Sequence, residues 1–367
     1  MEEKPLIYDL ELDELVTILA SWKESEFRVK QIWEGIYKHL WTFPEDGITT
    51  ANLSWSNLSK SLRTRLNSHF SFQHLEPAAV LRSKDKETNK TLFYLPDENA
   101  IEVVLMRYRQ RQSNGRRYSI CISSQAGCAL GCKFCATGQM GYFRNLTAGE
   151  IIEQVLFYAR KLADDGESLS NVVMMGMGEP FHNYEAVMKA IRILNHPTGM
   201  NLGERRFTIS TVGIIPMIER FSSERSQVNL AVSLHAAQDS LRTTLLPINK
   251  KYPLDELLNA CKVYTLQTGR RITFEWALIN GINDTPEQAR LLADRIKGLL
   301  CHVNLISLNP TNAYNHRGSD QLQAGQFQAI LEEKGIPCTL RLRRGIDIQA
   351  GCGQLATRVK EDSLIEN

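Results

Sequence analysis

Three cysteines, Cys128, Cys132 and Cys135, stand in the spacing C-x3-C-x2-C inside a glycine-punctuated stretch. Thiolates this close along a chain can converge on one soft metal centre, and thiolate ligation favours zinc or an iron–sulfur cluster. Structural zinc takes four protein ligands, and catalytic zinc usually brings His or carboxylate into the set. No fourth cysteine and no histidine lies between Ala126 and Phe143. A cubane cluster normally takes four cysteines, so three would leave one iron open to a further ligand. The plain alternative is three packed thiols, since free cysteine is among the most buried residue types. Gly127 and Gly131 argue for a loop instead.

Other candidate groups fall where apolar runs end. They are Gly176-Met-Gly-Glu-Pro180, Ser210-Thr-Val-Gly213, Ser233-Leu-His235 and Asn309-Pro310. Gly176 and Gly178 allow the backbone to approach a ligand, and Glu179 could pair with an ammonium group. Each alone reads equally well as a turn or cap, and a lone His235 as a structural histidine. Cys352 lies between two glycines, which suits an accessible thiol on an adaptable loop. Cys121, Cys261, Cys301 and Cys338 sit within strand or helix patterns and read as packing.

The elements that must position these groups follow from periodicity. Segments 12–22, 27–41 and 57–70 carry apolar residues at helical spacing with Lys and Arg between them. They form either a small basic helical module or an ordinary bundle with a solvated face. Strands follow at 91–95, 100–110 and 116–124, the last two joined by Asn114-Gly115, a strong hairpin signal. That hairpin carries Arg107, Arg109, Arg111, Arg116 and Arg117, which could contact phosphates or protect strand edges. Beyond the cysteines strand and helix alternate, with a capping box at Thr147–Glu150. Six β/α units and one further strand imply a parallel α/β sheet, and the missing G-x-G-x-x-G weakens a dinucleotide-binding fold. A partial barrel fits better, with its chemistry at the carboxyl ends of the strands.

The totals describe a globular chain: 367 residues, 43% hydrophobic, 23% charged and a net charge of +2. That charge leaves nucleic-acid binding to local patches. Eight cysteines, three of them clustered, suit a reducing cytosol, and neither a secretory signal nor a membrane-length apolar run is visible.

These motifs together resemble the RlmN/Cfr family of radical S-adenosylmethionine (SAM) RNA adenine methyltransferases. The likeness runs from the 27–33 helix to Gly-Cys-Gly-Gln-Leu355. It rests on Cys-Ile-Ser-Ser-Gln-Ala-Gly-Cys, Gly-Met-Gly-Glu-Pro, Ser-Thr-Val-Gly-Ile, Ser-Leu-His, Leu-Pro-Ile-Asn-Lys-Lys-Tyr-Pro and Ser-Leu-Asn-Pro. Gly351 departs from the alanine usual in the family. The resemblance implies an α/β fold, a partial (β/α)6 barrel of the radical SAM type with a small N-terminal helical domain and a β-hairpin extension. The expected boundaries are a helical, RNA-binding domain at 1–75, the extension at 76–118, the barrel at 119–345 and a C-terminal segment at 346–367.

By the same resemblance Cys128, Cys132 and Cys135 hold a [4Fe-4S] cluster, with Phe134 near the adenine of SAM. Gly178, Glu179, Ser210, Ser233, Leu234, His235 and Asn309 bind SAM. One SAM methylates Cys352, and a second yields a 5′-deoxyadenosyl radical that takes hydrogen from that methyl group. The methylene radical adds to the adenine, Glu102 accepts the proton, and a disulfide between Cys121 and Cys352 frees the product. The implied substrate is one adenosine of 23S rRNA, with a tRNA adenosine in some members. Carbon 2 is favoured by Pro180, and carbon 8 would mean a Cfr-like enzyme conferring ribosomal antibiotic resistance. An electron donor such as flavodoxin or ferredoxin, a cytoplasmic location, a monomer and no membrane partner complete the expectation. Two other readings remain: a non-catalytic zinc-binding RNA-interaction protein, and a radical SAM enzyme acting on a protein or small molecule.

Overall fold

The computed structural model describes residues 4–41, 55–109, 116–341, 344–351 and 353–355. Asn114, Gly115, Arg111 and Cys352 lie outside these residues. The chain opens with three helices, α1 (Leu12–Ser21), α2 (Glu26–Tyr37) and α3 (Lys60–His69). A capping box between Glu11 and Glu14 starts α1, and the Ser59 hydroxyl accepts from Leu62 N at the start of α3. Their apolar faces, including Leu15, Leu19, Ile32, Trp33 and Leu66, are buried in the same core as the rest of the molecule.

Four strands follow: β1 (Glu76–Arg82), β2 (Thr88–Tyr94), β3 (Ala100–Arg109) and β4 (Arg116–Cys121). Then come β5 (Gln125–Gly127), α4 (Ala136–Met140), β6 (Tyr142–Asn145), α5 (Ala148–Asp164), β7 (Leu169–Met174) and α6 (Tyr184–Asn195). The repeat continues through β8 (Phe207–Thr211), α7 (Ile215–Ser223), β9 (Asn229–Ser233), α8 (Asp239–Leu245) and α9 (Leu254–Thr268). It closes with β10 (Ile272–Leu278), α10 (Pro286–Ile296), β11 (Cys301–Ser307), α11 (Gln321–Glu333) and β12 (Cys338–Arg341).

Ten strands form one sheet in the order β1-β2-β3-β4-β7-β8-β9-β10-β11-β12. From β4 onward all pairs are parallel and sequential, the winding of a barrel rather than of a sheet whose strand order reverses. β1 and β12 are the two ends, so the barrel is open. The strands expected as an extension over 76–118 belong to this sheet. β3 pairs antiparallel with β4, whose other edge pairs with β7, because backbone groups on both edges of a buried strand need partners.

α5 shows how the helices hold the sheet. Its predicted capping box is present, with Glu150 N donating to Thr147 Oγ1 and Thr147 N to Glu150 Oε2. Its inner face sets Ile151, Ile152, Val155 and Leu156 fully out of water, each stabilising by about 1.5–3 kcal/mol. Its outer side receives the N-terminal region: Arg160 donates to Tyr8 Oη, Leu40 O and Trp41 O, and Gly149 N to Asp9 Oδ1. No helix among the described residues is long and apolar enough to cross a membrane.

Candidate active site

The cysteine loop is built on a small ribbon. β5 pairs antiparallel with β6 and delivers Cys128, whose N–H donates to Gly141 O at 2.7 Å. Cys135 caps α4, and its own N–H donates to Cys132 O at 3.2 Å. Lys133 N donates to Leu245 O, which anchors the loop to α8. Arg144 on β6 grips Glu150 through two 2.8 Å bonds and also bonds Asp97, bracing the ribbon against α5.

A pocket of ≈ 160 Å³ lies between this loop and the carboxyl ends of the barrel strands. Its lining brings together Cys128, Cys132, Cys135, Gly178, Glu179, Ser210, Ser233, His235 and Asn309, nine of the expected residues from five separate stretches of chain. Three expected residues stand apart from it. Leu234 is in the core, with its carbonyl accepting from Arg242 Nε. β9 ends at Ser233, and in the turn that follows it Leu234 packs into the core while Ser233 and His235 line the pocket. Cys121 is buried in β4 between Val104 and Val173 of the flanking strands. Glu102 is buried on β3, ion-paired with Lys90 at 3.0 Å.

Glu179 is tied down before any ligand arrives. Oε1 accepts from Phe181 N at 3.1 Å and Oε2 from Val212 N at 2.9 Å. Burial nevertheless pushes its pKa up to about 7, since charge in a low-dielectric site is penalised. Gly178, at φ +100°, presses on Gln125, and a Cβ there would meet the Gln125 Cβ at 2.6 Å. His235 has φ +60° and packs edge-on against Phe134 at 4.9 Å between centroids. Its Nδ1 accepts from Ala277 N at 2.9 Å, and burial pushes its pKa down to about 3. A neutral imidazole whose Nδ1 accepts carries its proton on Nε2.

Cys128 and Cys132 are buried and Cys135 partly so, and desolvation raises all three pKa values, that of Cys128 to about 12. Three ionised thiolates are therefore favoured here only with a bound cationic centre. Among the described residues, no three His, Cys, Asp or Glu side chains gather tightly enough for one metal ion. Thiols set around a pocket in this way suit separate irons of a cluster. Asn309 Oδ1 is buried and without a hydrogen-bond partner among the described residues, an acceptor ready for a ligand.

Two groups at the site escaped the sequence reading. Arg242, fully buried, donates to Leu234 O, Val212 O, Ser233 O and Asn249 Oδ1, tying the ends of β8 and β9 together. Asn283 donates to His235 O and Ala277 O, fixing the left-handed turn at the histidine. Asn249 within Leu-Pro-Ile-Asn-Lys was the only sequence signal for the first of these.

The C-terminal segment closes over this rim. Lys84 N donates to Asp347 Oδ2, Lys90 Nζ to Gln349 O, and Arg344 to Arg107 O, so the segment lies across β2 and β3. Farther on, Ala136 N donates to Gly353 O at 2.7 Å and Thr137 Oγ1 to Leu355 O at 2.7 Å, against α4. Gln354 Nε2 reaches Pro310 O.

An open parallel barrel with three cysteines beside the carboxyl ends of its strands defines the class, and a family model of the radical SAM superfamily matches residues 122–293. The chain is 44% identical over 358 residues to a probable dual-specificity RNA methyltransferase RlmN of Geobacillus kaustophilus, covering 98% of this chain and 94% of that one. It is 44% identical over 359 residues to the dual-specificity RNA methyltransferase RlmN 1 of Myxococcus xanthus, covering 97% and 96%. The crystal structure of a radical SAM methyltransferase from Sphaerobacter thermophilus superposes with a TM-score of 0.90 at 47% identity, covering 96% of this chain and 99% of that one. The chain belongs to the RlmN family of radical SAM RNA methyltransferases. The cofactors of such enzymes are a [4Fe-4S] cluster and SAM.

Proposed function

We propose that this protein methylates an adenine ring carbon of 23S rRNA, at carbon 2, and that a tRNA adenosine is a second substrate. The observation that carries this reading is the docking of the chain on both sides of Cys352. Gly353 lines the pocket and bonds α4, while Gln349 bonds the lysine paired with Glu102. The names of the relatives, RNA methyltransferases of dual specificity, support two RNA substrates.

An adenine ring carbon is a poor nucleophile, so simple methyl transfer from SAM fails. The cluster and SAM, when bound, supply the methyl carbon and the radical chemistry that activates it. In this proposal Cys128, Cys132 and Cys135 ligate the cluster. The Glu179 carboxylate pairs with the SAM ammonium, Gly178 gives its backbone room, and Asn309 Oδ1, His235 Nε2–H, Ser210 and Ser233 complete its polar contacts. Phe134 and the C-terminal segment keep water out. Cys352 carries the methyl group to the base, Glu102 takes the ring proton with Lys90 orienting it, and Cys121 releases the product by bonding Cys352. The proposal extends to a monomer in the cytoplasm, reduced by a donor of the flavodoxin or ferredoxin class.

The test is anaerobic reconstitution with iron and sulfide, then incubation with SAM, a reductant and 23S rRNA or tRNA fragments. Mass spectrometry of the digested RNA is expected to find 2-methyladenosine with wild type and none released by Cys352→Ala. Finding 8-methyladenosine would overturn the assignment of the carbon. A protein that takes zinc instead of iron and makes no 5′-deoxyadenosine would overturn the radical mechanism.

A further inference from the structure

The opposite end of the barrel has no part in the reading above, yet it holds a larger cavity, ≈ 760 Å³. Inward positions near the starts of the strands line it with Asn171, Thr208, Asn229, Thr273 and His302 rather than with aliphatic side chains. Closed barrels of this type fill the same space with packed branched residues. Five arginines also line it: Arg117 from β4, Arg205 ahead of β8, Arg270 and Arg271 ahead of β10, and Arg341 from β12. The single lining carboxylate is Glu275, buried at mid-strand, with Oε1 accepting from Asn304 Nδ2 at 2.8 Å.

Arg341 acts on the buried Glu275, whereas Arg117, Arg205, Arg270 and Arg271 have no carboxylate partner among the described residues. Arg117 Nε donates to Asn171 Oδ1 at 2.9 Å. Arg205 donates to Gln227 Oε1, and Arg270 to Gln227 Oε1 and Asn229 Oδ1, both at 2.9 Å for Arg270. The acceptors of Arg117, Arg205 and Arg270 are neutral amide oxygens, and an amide positions an arginine without cancelling its charge. Arg271 is exposed and has no hydrogen-bond partner among the described residues. His302 registers the resulting field: burial first, then Arg271 and Arg341, push its pKa below the usual value, and its buried Nδ1 has no hydrogen-bond partner among the described residues.

We propose that this cavity binds a compact polyphosphate anion, either a condensed phosphate or the phosphate tail of a nucleotide, at a site separate from the SAM pocket. Guanidinium forks match phosphate oxygens two at a time. A concave wall lined by one sign of charge also concentrates the opposite ion. The arginines converge on one concavity from four elements, which suits a compact anion better than a strand tracked along a ridge. Strands β8 to β11 are 5–7 residues long, which separates the two rims by roughly 16–23 Å at about 3.3 Å per residue. An adenosine delivered to the cysteine rim therefore leaves this end free for a different ligand. The site stands independently of the methyl-transfer reading.

The test is calorimetric titration of the full-length, cluster-reconstituted protein with inorganic tripolyphosphate, at low and raised salt. Wild type is expected to bind one equivalent saturably, more weakly as salt rises. The double variant Arg205→Gln/Arg271→Gln is expected to weaken binding by about tenfold or more per charge-assisted contact removed. Arg271→Gln alone, with no hydrogen bond to lose, gives the smaller step in a fold left intact. Arg290→Gln, exposed on α10 outside the cavity, and the SAM affinity of every variant should not change. No saturable binding, an equal loss in Arg290→Gln, or displacement of tripolyphosphate by substrate RNA would each overturn the proposal.

Discussion

The two ends of the barrel share the same strands and differ in almost every chemical respect. At the carboxyl end the pocket walls are mainly apolar, the ionisable groups are three thiols, two carboxylates and one neutral imidazole, and the largest fully buried cation, Arg242, is satisfied by carbonyls and an amide. At the amino end the walls are polar, the arginines are many, and the partners of Arg117, Arg205 and Arg270 are neutral amides. Glu275 and Met175 line both spaces, so the boundary between them is one layer of side chains thick. The contrast is one of dielectric. A small, buried pocket shifts the pKa of every acid it contains, as with Glu179 and the thiols, and so prepares it for a specific cation. A wider, polar-walled vestibule holds its guanidiniums against neutral partners, prepared for an anion.

The largest expected effect separates the two ends outright. Cys132→Ala should abolish cluster incorporation and turnover, read as loss of iron and of 5′-deoxyadenosine, while tripolyphosphate binding stays at the wild-type value. Loss of both together would mean that the ends are one cooperative unit.

A second, smaller effect compares two cations. Lys90 is paired with a buried carboxylate, whereas Arg271 has no acid partner. Lys90→Met should therefore cost about 3–5 kcal/mol in urea unfolding, because it removes the cation from a buried ion pair. Arg271→Gln should stay within about 0.5 kcal/mol. Equal values would remove the distinction drawn here between a neutralised wall and an open one.

The smallest effect concerns pH. Glu179 has its pKa raised from 4.5 to about 7, so it holds a proton in the ligand-free folded state that an unfolded chain would already have lost. An ammonium ligand binds the ionised form. SAM affinity is thus expected to be flat above about pH 7 and to fall by up to about tenfold per pH unit below it. In Glu179→Gln the same titration should be weak and nearly pH-independent, and a slope that persisted in that variant would assign the proton to another group.

Much of the architecture was legible because it is local. The Thr147–Glu150 capping box, the alternation of apolar strands with amphipathic helices and the glycines flanking Cys128 and Cys132 need only nearest neighbours along the chain. The first strand was less so. β1 is exposed along nearly its whole length and carries no clear apolar alternation, and its place was set by pairing with β2. The short α8 was also missed, since seven residues give too little periodicity to read.

What the sequence by itself determined was the set of chemical groups: three thiols in cluster spacing, a Gly-Met-Gly-Glu-Pro turn, a cysteine between two glycines and a family pattern running almost the full length. Tertiary structure decided which of those groups meet. It gathered nine residues into one pocket, left Leu234 in the core beside it, buried Arg242 among carbonyls, and laid residues 344–351 and 353–355 over the rim. It also assembled the arginine vestibule from residues more than 220 positions apart, Arg117 and Arg341. The physical reason is that periodicity reports which side of one element faces inward. Which inward-facing groups share a cavity depends on how the strands are ordered and registered, and long-range hydrogen bonding and burial settle that together.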